Sequence, residues 1–173
     1  MPAMHIYDLT VPQLGKTLRN LDSWIVRAGA HAESTHTPVD QLITARLAPD
    51  QFTFVRQVQV ASDNAKMMVG RLAGKTWPPH PDTETSLEQL RGRLESVIGF
   101  LDGFSREDFD EVTKRKIALP WMKPGTWLSA EDYLVQFALP NFYFHVVTAY
   151  AILRHKGVQL GKIDYIGGLP ITE

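Results

Sequence analysis

The chain has 173 residues, 44% of them hydrophobic and 21% charged, with 18 basic and 19 acidic side chains and a formal net charge of −1. These values predict one globular domain over residues 1–173 and lack the basic excess of most nucleic-acid-binding proteins, so we expect no nucleic-acid partner. The absence of cysteine excludes disulfides, thiol catalysis and zinc–thiolate sites, and a reducing cytoplasm is the default location.

The first predicted element is a helix from about Val11 to His31. Residues 1–13 contain no basic segment followed by an apolar run, so we expect no secretory leader before it. Apolar residues recur within the helix at intervals of three and four, which places them on one face. Thr10 is its predicted N-cap, and Val39–Leu47 is a candidate for a short helix in the connector that follows.

Two further helices are predicted, from about Asp50 to Ala73 and from about Ser86 to Phe104. Both carry the same spacing of apolar residues. Gly74 suits the C-terminal cap of the second helix, and Thr85 is the predicted N-cap of the third. Three prolines within Trp77–Pro81 exclude a helix between them.

The last third of the chain begins with a segment, Glu111–Leu128, whose alternation and central turn predict a small β-hairpin. Ser129 is the predicted cap of the last helix, and Pro140 is expected to kink or restart it. Its main part, Asn141–Lys156, ends at Gly157, and the tail is expected to lie on the bundle surface. The sequence therefore predicts an all-α fold, an up-and-down four-helix bundle with a small β-hairpin before the last helix.

The last helix is apolar on every side. No charged residue occurs between positions 133 and 153, which is long enough for a membrane span, but Pro140 and several polar residues within it favour a buried helix. Its back carries Phe144, Val147 and Ala151, which either the tail and hairpin or a second subunit must cover. We favour a homodimer and expect no membrane partner.

Polar side chains interrupt the apolar faces of two helices. Asn141 and His145 are four residues apart and share a flank of the last helix, and Gln57 and Asn64 lie beside the stripe of the second. Buried polar groups need partners, so these residues either bond one another or buried water, or form a small-ligand or metal site. With Tyr143 on the other flank, Gln57, Asn141 and His145 are the candidate ligand-binding residues.

Four segments carry a resemblance to a known family. They are Gln57–Lys66, Arg71–Gly74, Leu139–His145 and Ala149–Gly157. Together they resemble a bacterial branch of the DinB/YfiT-like superfamily that is classed as a domain of unknown function, and the resemblance covers most of the chain. It implies a four-helix bundle, frequent dimers and a divalent metal held by three histidines, with thiol transfer as the activity of some members.

The chain departs from the metal-binding pattern that this resemblance implies. Only His145 matches a ligand position, Asn141 stands in place of the other histidine of the last helix, and Gln57 is assigned to the place of the second-helix histidine. Carboxamides are poor ligands for zinc or nickel, so we expect a lost or weakened site with His145 as at most a weak ligand, and no confident cofactor. Two interpretations follow: a non-catalytic or ligand-binding dimer, or a metal-dependent transferase or hydrolase with an altered ligand set.

Other charged groups are predicted to be solvated. His80 falls in a loop, and Asp63 with Lys66 has the spacing of an exposed helical ion pair. The basic run Lys114–Lys116 is interpreted as a solvated loop or edge strand rather than a phosphate-binding patch.

Overall fold

Helices make up most of the chain. The computed structural model describes residues 5–171, so the predictions for residues 1–13 and for the tail lie partly outside the described residues, at 1–4 and 172–173. The α-helices are α1 (Ile6–Thr35), α2 (Val39–Ile43), α3 (Phe54–Ala73), α4 (Leu87–Asp102), α5 (Ala130–Asp132), α6 (Leu139–His155) and α7 (Lys162–Ile166). The other elements are 3₁₀ turns at Arg106–Phe109 and Val112–Lys114, a π-helix at Tyr133–Ala138, and the strands β1 (Lys116–Ile117) and β2 (Leu128–Ser129).

Four long units, α1, α3, α4 and the α5–α6 unit, surround one hydrophobic core, and the predicted all-α four-helix bundle is confirmed. Helix α3 packs against both α4 and α6, and α1 packs against α4. Helix α1 runs antiparallel to α4. Asp8, near the start of α1, pairs with Arg106 just after the end of α4, and Asp22, further along α1, pairs with Arg91 near the start of α4. The apolar residues that recur at intervals of three and four along the helices form the centre of this core.

Helices α3 and α4 run in the same direction. Ser62 of α3 bonds Arg93 of α4, and Lys75, just after α3, lies over the ring of Phe104, just after α4. Residues 75–86 therefore return along the bundle as a non-helical connector, which its prolines favour. The directions of the four units are up, down, down and up rather than strictly alternating, as in bundles with a crossover connection.

Helix α1 is longer than predicted at both ends. It begins at Ile6, with the ring of His5 accepting a hydrogen bond from a first-turn N–H, and it ends at Thr35, followed by the left-handed cap residue His36 with a φ of 54°. The prediction that Thr10 caps the helix is wrong, because Thr10 lies inside it and donates its hydroxyl to the carbonyl of Ile6 at 2.7 Å. Ile6 also packs against the core, so the helix gains apolar contact by starting earlier.

The other helix ends follow local chemistry closely. Ser86, rather than Thr85 as predicted, caps α4: its Oγ accepts from the N–H of Gln89 at 3.1 Å. The N–H of Thr85 donates back to the side chain of Gln89 at 2.7 Å, so the reciprocal cap is shifted by one residue. Gly74 and Gly157 follow α3 and α6 with φ values of 67° and 89°, and both predicted helix ends are confirmed.

The predicted hairpin is present but its strands are short. Lys116 pairs with Ser129 and Ile117 pairs with Leu128 in an antiparallel register. The earlier part of the predicted segment, Val112–Lys114, is a 3₁₀ turn instead of a strand. Ser129 then caps α5, as predicted, by accepting from the N–H of Asp132 at 3.0 Å.

The break expected at Pro140 takes the form of a π-helix. Proline lacks an N–H, and its ring clashes with the carbonyl four residues earlier in a regular helix. Over Tyr133–Ala138 the turns widen, so that the N–H of Leu139 reaches the carbonyl of Leu134, one residue further back than in an α-helix. Pro140 then occupies the first turn of α6, where a missing N–H costs little.

The tail lies on the bundle surface, as predicted. Helix α7 packs against α1, where Asn20 donates to the carbonyl of Tyr165 at 3.0 Å and the indole of Trp24 donates to the carbonyl of Asp164 at 3.2 Å. Trp24 itself is fully buried. None of the helices within residues 5–171 is long and apolar enough to cross a membrane.

Candidate functional site

Helices α3 and α6 bring Gln57 and His145 together. The Nδ1 atom of His145 lies 2.7 Å from Oε1 of Gln57, and both residues are buried. A carboxamide oxygen only accepts hydrogen bonds, so the imidazole donates from Nδ1 and its Nε2 keeps a lone pair. The amide nitrogen of Gln57 donates to the carbonyl of Phe52 at 3.3 Å, which fixes the orientation of the carboxamide.

Aromatic rings flank the imidazole of His145. Phe52, which is half exposed, stacks on it with the ring centroids 6.3 Å apart, and Phe144 meets it edge-on at 5.2 Å. Nε2 has no hydrogen-bond partner within residues 5–171. Burial lowers the pKa of His145 below its ordinary value, and the nearby Arg56 guanidinium lowers it further. The imidazole is therefore neutral at pH 7 and offers an acceptor at Nε2.

A second polar pair lies one helical turn away. The amide of Asn141 donates to the side-chain oxygen of Asn64 at 3.0 Å. The amide nitrogen of Asn64 is buried and has no hydrogen-bond partner in the described part of the chain. The polar residues singled out from the sequence thus form two pairs, Gln57 with His145 and Asn64 with Asn141, between the same two antiparallel helices.

Tyr143 lies on the other flank of α6, as its position on the helical wheel requires. Its hydroxyl lies near Thr17 on α1, away from the two polar pairs. Burial raises the pKa of Tyr143, and the nearby Thr17 side chain offsets part of that shift. The structure does not bring Tyr143 to His145, and its role in ligand binding stays a prediction.

The chain is similar to a family profile and to a solved structure along nearly its whole length. The family profile described as Domain of unknown function (DUF1993) matches residues 6–166. The chain belongs to the DUF1993 family. It is also similar to the crystal structure of a DinB family member protein from Shewanella denitrificans, at 46% identity over 97% of this chain and 95% of that chain, with a TM-score of 0.93. The resemblance to DinB-like bundles is confirmed, and no curated protein matched the chain.

A metal held by three histidines does not fit the polar residues of this DUF1993 chain. His145 is the one imidazole of the site, the carbonyl oxygen of Gln57 already accepts its Nδ1 proton, and the amide of Asn141 is bonded to Asn64. No three His, Asp or Glu side chains within residues 5–171 gather in a group that can hold a metal ion. The donor set favours hydrogen bonding over coordination.

The DUF1993 chain has a second polar cluster, which was not predicted from the sequence. Lys66 forms the predicted pair with Asp63 at 2.7 Å, but the prediction that it is solvated is wrong, because Lys66 is only 2% exposed. Arg93 of α4 is 3% exposed and reaches Asp63 at 2.7 Å, Glu84 at 3.0 Å and the hydroxyl of Ser62 at 2.7 Å. These bonds tie α3, α4 and the connector together.

His80 belongs to this cluster rather than to the open surface. Its Nδ1 lies 2.7 Å from Nζ of Lys66, and its Nε2 lies 3.0 Å from Oγ of Ser96. An ammonium group only donates, so Nδ1 is the acceptor and Nε2 carries the proton. His80 in this tautomer cannot take the proton of Ser96, and the Ser96–His80–Lys66 chain is not a nucleophile with its base. Instead, its two hydrogen bonds attach the middle of the connector to α3 and α4.

The stability of the protein is expected to fall between about pH 7 and pH 5.5 because of His80. Burial first, and then the charges of Lys66 and Arg93, hold the pKa of His80 below its ordinary value of 6.5. The unfolded chain therefore binds this proton more readily, so the stabilisation is complete above pH 6.5 and is lost as the pH falls through the folded pKa. Urea unfolding at the two pH values measures the loss.

Two variants separate this effect from other titrations. His80→Asn keeps an acceptor near Lys66 without a titrating ring, and we expect a smaller loss between the two pH values. His155→Asn, which replaces an exposed histidine at the end of α6, is the control and is expected to behave like the unmodified protein. An equal loss in all three proteins contradicts the prediction.

Proposed function

We propose that this chain binds a small molecule at the His145–Gln57 pair and does so without a metal ion. The observation that supports the proposal is the hydrogen bond from Nδ1 of His145 to Gln57, which leaves Nε2 as a neutral acceptor beside the rings of Phe52 and Phe144. A ligand that places a hydroxyl, thiol or amide donor at Nε2 and an apolar ring against Phe52 is the chemistry that fits.

Metal analysis is the first test of this proposal. We expect no stoichiometric metal in protein purified without a histidine tag, even after incubation with zinc or nickel, and the same result for His145→Ala. His155→Ala is the matched control, since it removes an exposed imidazole from the same helix. About one metal ion per chain that is lost in His145→Ala, but not in His155→Ala, would falsify the proposal.

Ligand binding is tested directly by NMR with phenol, benzyl mercaptan and benzamide as probes of the three donor classes. At least one probe is expected to shift the Nε2 resonance of His145 and to lose its effect in His145→Ala. If no probe shifts the resonance at about 10 mM, where even weak fragments bind, the site is structural and the proposal fails.

The alternative function is that of a divalent-metal-dependent transferase or hydrolase with an altered ligand set. One observation favours it: a histidine that donates from one ring nitrogen to a carbonyl and keeps the other free has the arrangement typical of metal ligands. His145 would anchor the ion, and Gln57 and Asn141 would serve as weak ligands or contact the substrate. Stoichiometric zinc or nickel that depends on His145 supports this alternative.

We also propose that the protein is a homodimer formed through the outer face of α6. Phe144 is 58% exposed and Val147 is 47% exposed, so within one chain neither the hairpin nor the described tail covers this face. A second copy of the chain would remove both side chains from water. Light scattering at micromolar concentration is expected to give the mass of two chains, and the mass of a single chain rejects the dimer.

A bacterial cytoplasm is the proposed location of this function. The cysteine-free composition and the 46% identity to the Shewanella denitrificans protein support it. Fractionation of a bacterium that expresses the chain, followed by detection with an antibody, tests the location, and recovery in the periplasmic fraction contradicts it.

A further inference from the structure

A positively charged cleft lies at the far end of α3 from His145. It has a volume of about 390 Å³, and Arg71, Lys114, Arg115 and Lys116 line it together with Gly74. Gln57 and Arg71 are fourteen residues apart on α3, so the cleft is about 21 Å from the His145–Gln57 pair. We call it the cationic cleft.

The charges of the cationic cleft are largely uncompensated. Lys114 pairs with Glu111 on the exposed surface at 2.6 Å. In the part of the chain that the structure describes, Arg71, Arg115 and Lys116 form no ion pair with a carboxylate. Three neighbouring cations without a counter-ion repel one another, and an anion bound between them would relieve that repulsion.

Arg71 is held in place by two aromatic rings. Its guanidinium lies 5.1 Å from the ring centre of Trp77 and 5.9 Å from that of Tyr133, and it donates to the hydroxyl of Tyr133 at 3.3 Å. Burial raises the pKa of Tyr133, so the hydroxyl stays protonated and does not neutralise the arginine. Tyr133 belongs to the π-helix, an element that often occurs at functional sites.

Arg115 fits against the end of α3 because residue 74 is glycine. A Cβ atom at Gly74 would overlap the Arg115 guanidinium, which donates from Nη2 to the carbonyl of Ala73 at 2.8 Å. The Nε atom of Arg115 is buried and has no hydrogen-bond partner among residues 5–171. A buried charged donor without an acceptor is unfavourable, and because Arg115 lines the cleft, a small rotation of its guanidinium toward a bound anion would supply the acceptor.

A second cleft of about 410 Å³ adjoins the first and shares Arg71 and Gly74 with it. Its wall includes the ring of Trp77, which lies so close to α3 that a Cβ atom at Gly70 would come within 2.6 Å of it. The two clefts together therefore combine cationic groups on one side with a flat aromatic surface on the other.

We propose that the cationic cleft binds a phosphate-bearing small molecule, with the phosphate on Arg71 and Arg115 and an apolar ring of the ligand against Trp77. A phosphate carries enough charge to match several cations and enough oxygens to accept from both guanidinium groups. The basic run Lys114–Lys116 then contributes to a binding site and is more than a solvated loop. This site is separate from the His145–Gln57 pair, and neither proposal depends on the other.

Calorimetric titration with phenyl phosphate tests the proposal, with tryptophan fluorescence as a second readout. We expect binding in the unmodified protein, with at least tenfold weaker affinity in Arg71→Met and, independently, in Arg115→Gln, because each loses a charge-assisted bond. Lys123→Gln is the matched control: it removes one positive charge from the hairpin turn without lining the cleft, and we expect unchanged affinity. Circular dichroism checks that each variant is folded.

Inorganic phosphate is expected to bind more weakly than phenyl phosphate, since it lacks a ring for Trp77. The proposal is overturned if phenyl phosphate does not bind at about 10 mM, if Lys123→Gln weakens binding as much as Arg71→Met, or if both phosphates bind equally. Vesicles of phosphatidylcholine with phosphatidic acid provide the last arm. Binding to these vesicles without binding to phenyl phosphate assigns the cleft to a membrane surface and also overturns the proposal.

Discussion

Replacing Arg93 with methionine is expected to lower the free energy of unfolding by about 3 kcal/mol, because the change leaves the half-buried carboxylates of Asp63 and Glu84 without the guanidinium that they contact. The Arg93 side chain is almost inaccessible and contacts Asp63, Asp82 and Glu84. Although burial alone raises the pKa of Glu84, hydrogen bonds from Arg93 and Gln59 outweigh it and hold the pKa below its ordinary value. Methionine fills much of the volume, so the loss is chiefly electrostatic.

Urea unfolding at pH 7 measures this change, and α4 provides a control two residues earlier. Arg91 pairs with Asp22 at 2.8 Å, but this pair lies at the surface, with the arginine side chain 49% exposed and the aspartate 29% exposed. Exposed ion pairs contribute less than about 1 kcal/mol, so Arg91→Met is expected to have a small effect. If the two variants lose the same stability, the buried cluster does not hold α3, α4 and the connector together as described.

Replacing Trp24 with alanine is the second large change, with an expected loss of about 3–5 kcal/mol. Trp24 is fully buried, stacks on Tyr165 with the ring centres 5.8 Å apart, and meets Tyr150 edge-on at 5.4 Å. The alanine variant also loses the bond from the indole to Asp164, so α7 should detach more readily from α1. Faster cleavage near residues 160–170 in limited proteolysis would accompany the lower stability.

Trp121 is the matched control for this experiment. It is 68% exposed on the hairpin, and Trp121→Ala is expected to change the free energy of unfolding by no more than about 0.5 kcal/mol. If Trp24→Ala is no less stable than Trp121→Ala, the tail is not anchored through the indole, and another contact must hold α7.

The long helices could be predicted because the apolar residues of α1, α3 and α4 repeat at three and four residues. Their ends were harder to predict, since a threonine such as Thr10 can bond a neighbouring carbonyl inside a helix as readily as it can cap one. Pro140 indicated that the last helix must kink or restart. That the change takes the form of a π-helix, in which Tyr133 is buried in the core, is not encoded in any local pattern.

The relative direction of α3 and α4 was not predictable from helical periodicity, because an amphipathic stripe reads the same in either direction. A usable signal lay in the connector. Residues 75–86, extended at about 3.3 Å each, can span about 40 Å, which exceeds the length of α4 at about 24 Å. A proline-rich connector of that reach permits the following helix to start again at the same end of the bundle.

The facing polar pairs could be predicted from spacing, because Asn141 and His145 are four residues apart and Gln57 and Asn64 are seven apart. The buried cluster was missed, because Lys66 at three residues from Asp63 matches an ordinary surface pair. The available signal was that Gln59, Ser62 and Lys66 also repeat at three and four residues. They form a polar stripe on α3, and such a stripe faces either water or a charged partner such as Arg93.

The parallel arrangement of α3 and α4 has a consequence for how the chain folds. Helices that alternate in direction can form hairpins with their neighbours in sequence soon after collapse. Here α4 packs parallel to its neighbour α3, and its antiparallel partner is α1, through pairs such as Arg91 with Asp22 and Arg19 with Asp102, which are 69 and 83 residues apart in the chain. These distant pairings raise the contact order above that of an alternating bundle of equal length, so folding should be slower even though the native contacts are mostly helical.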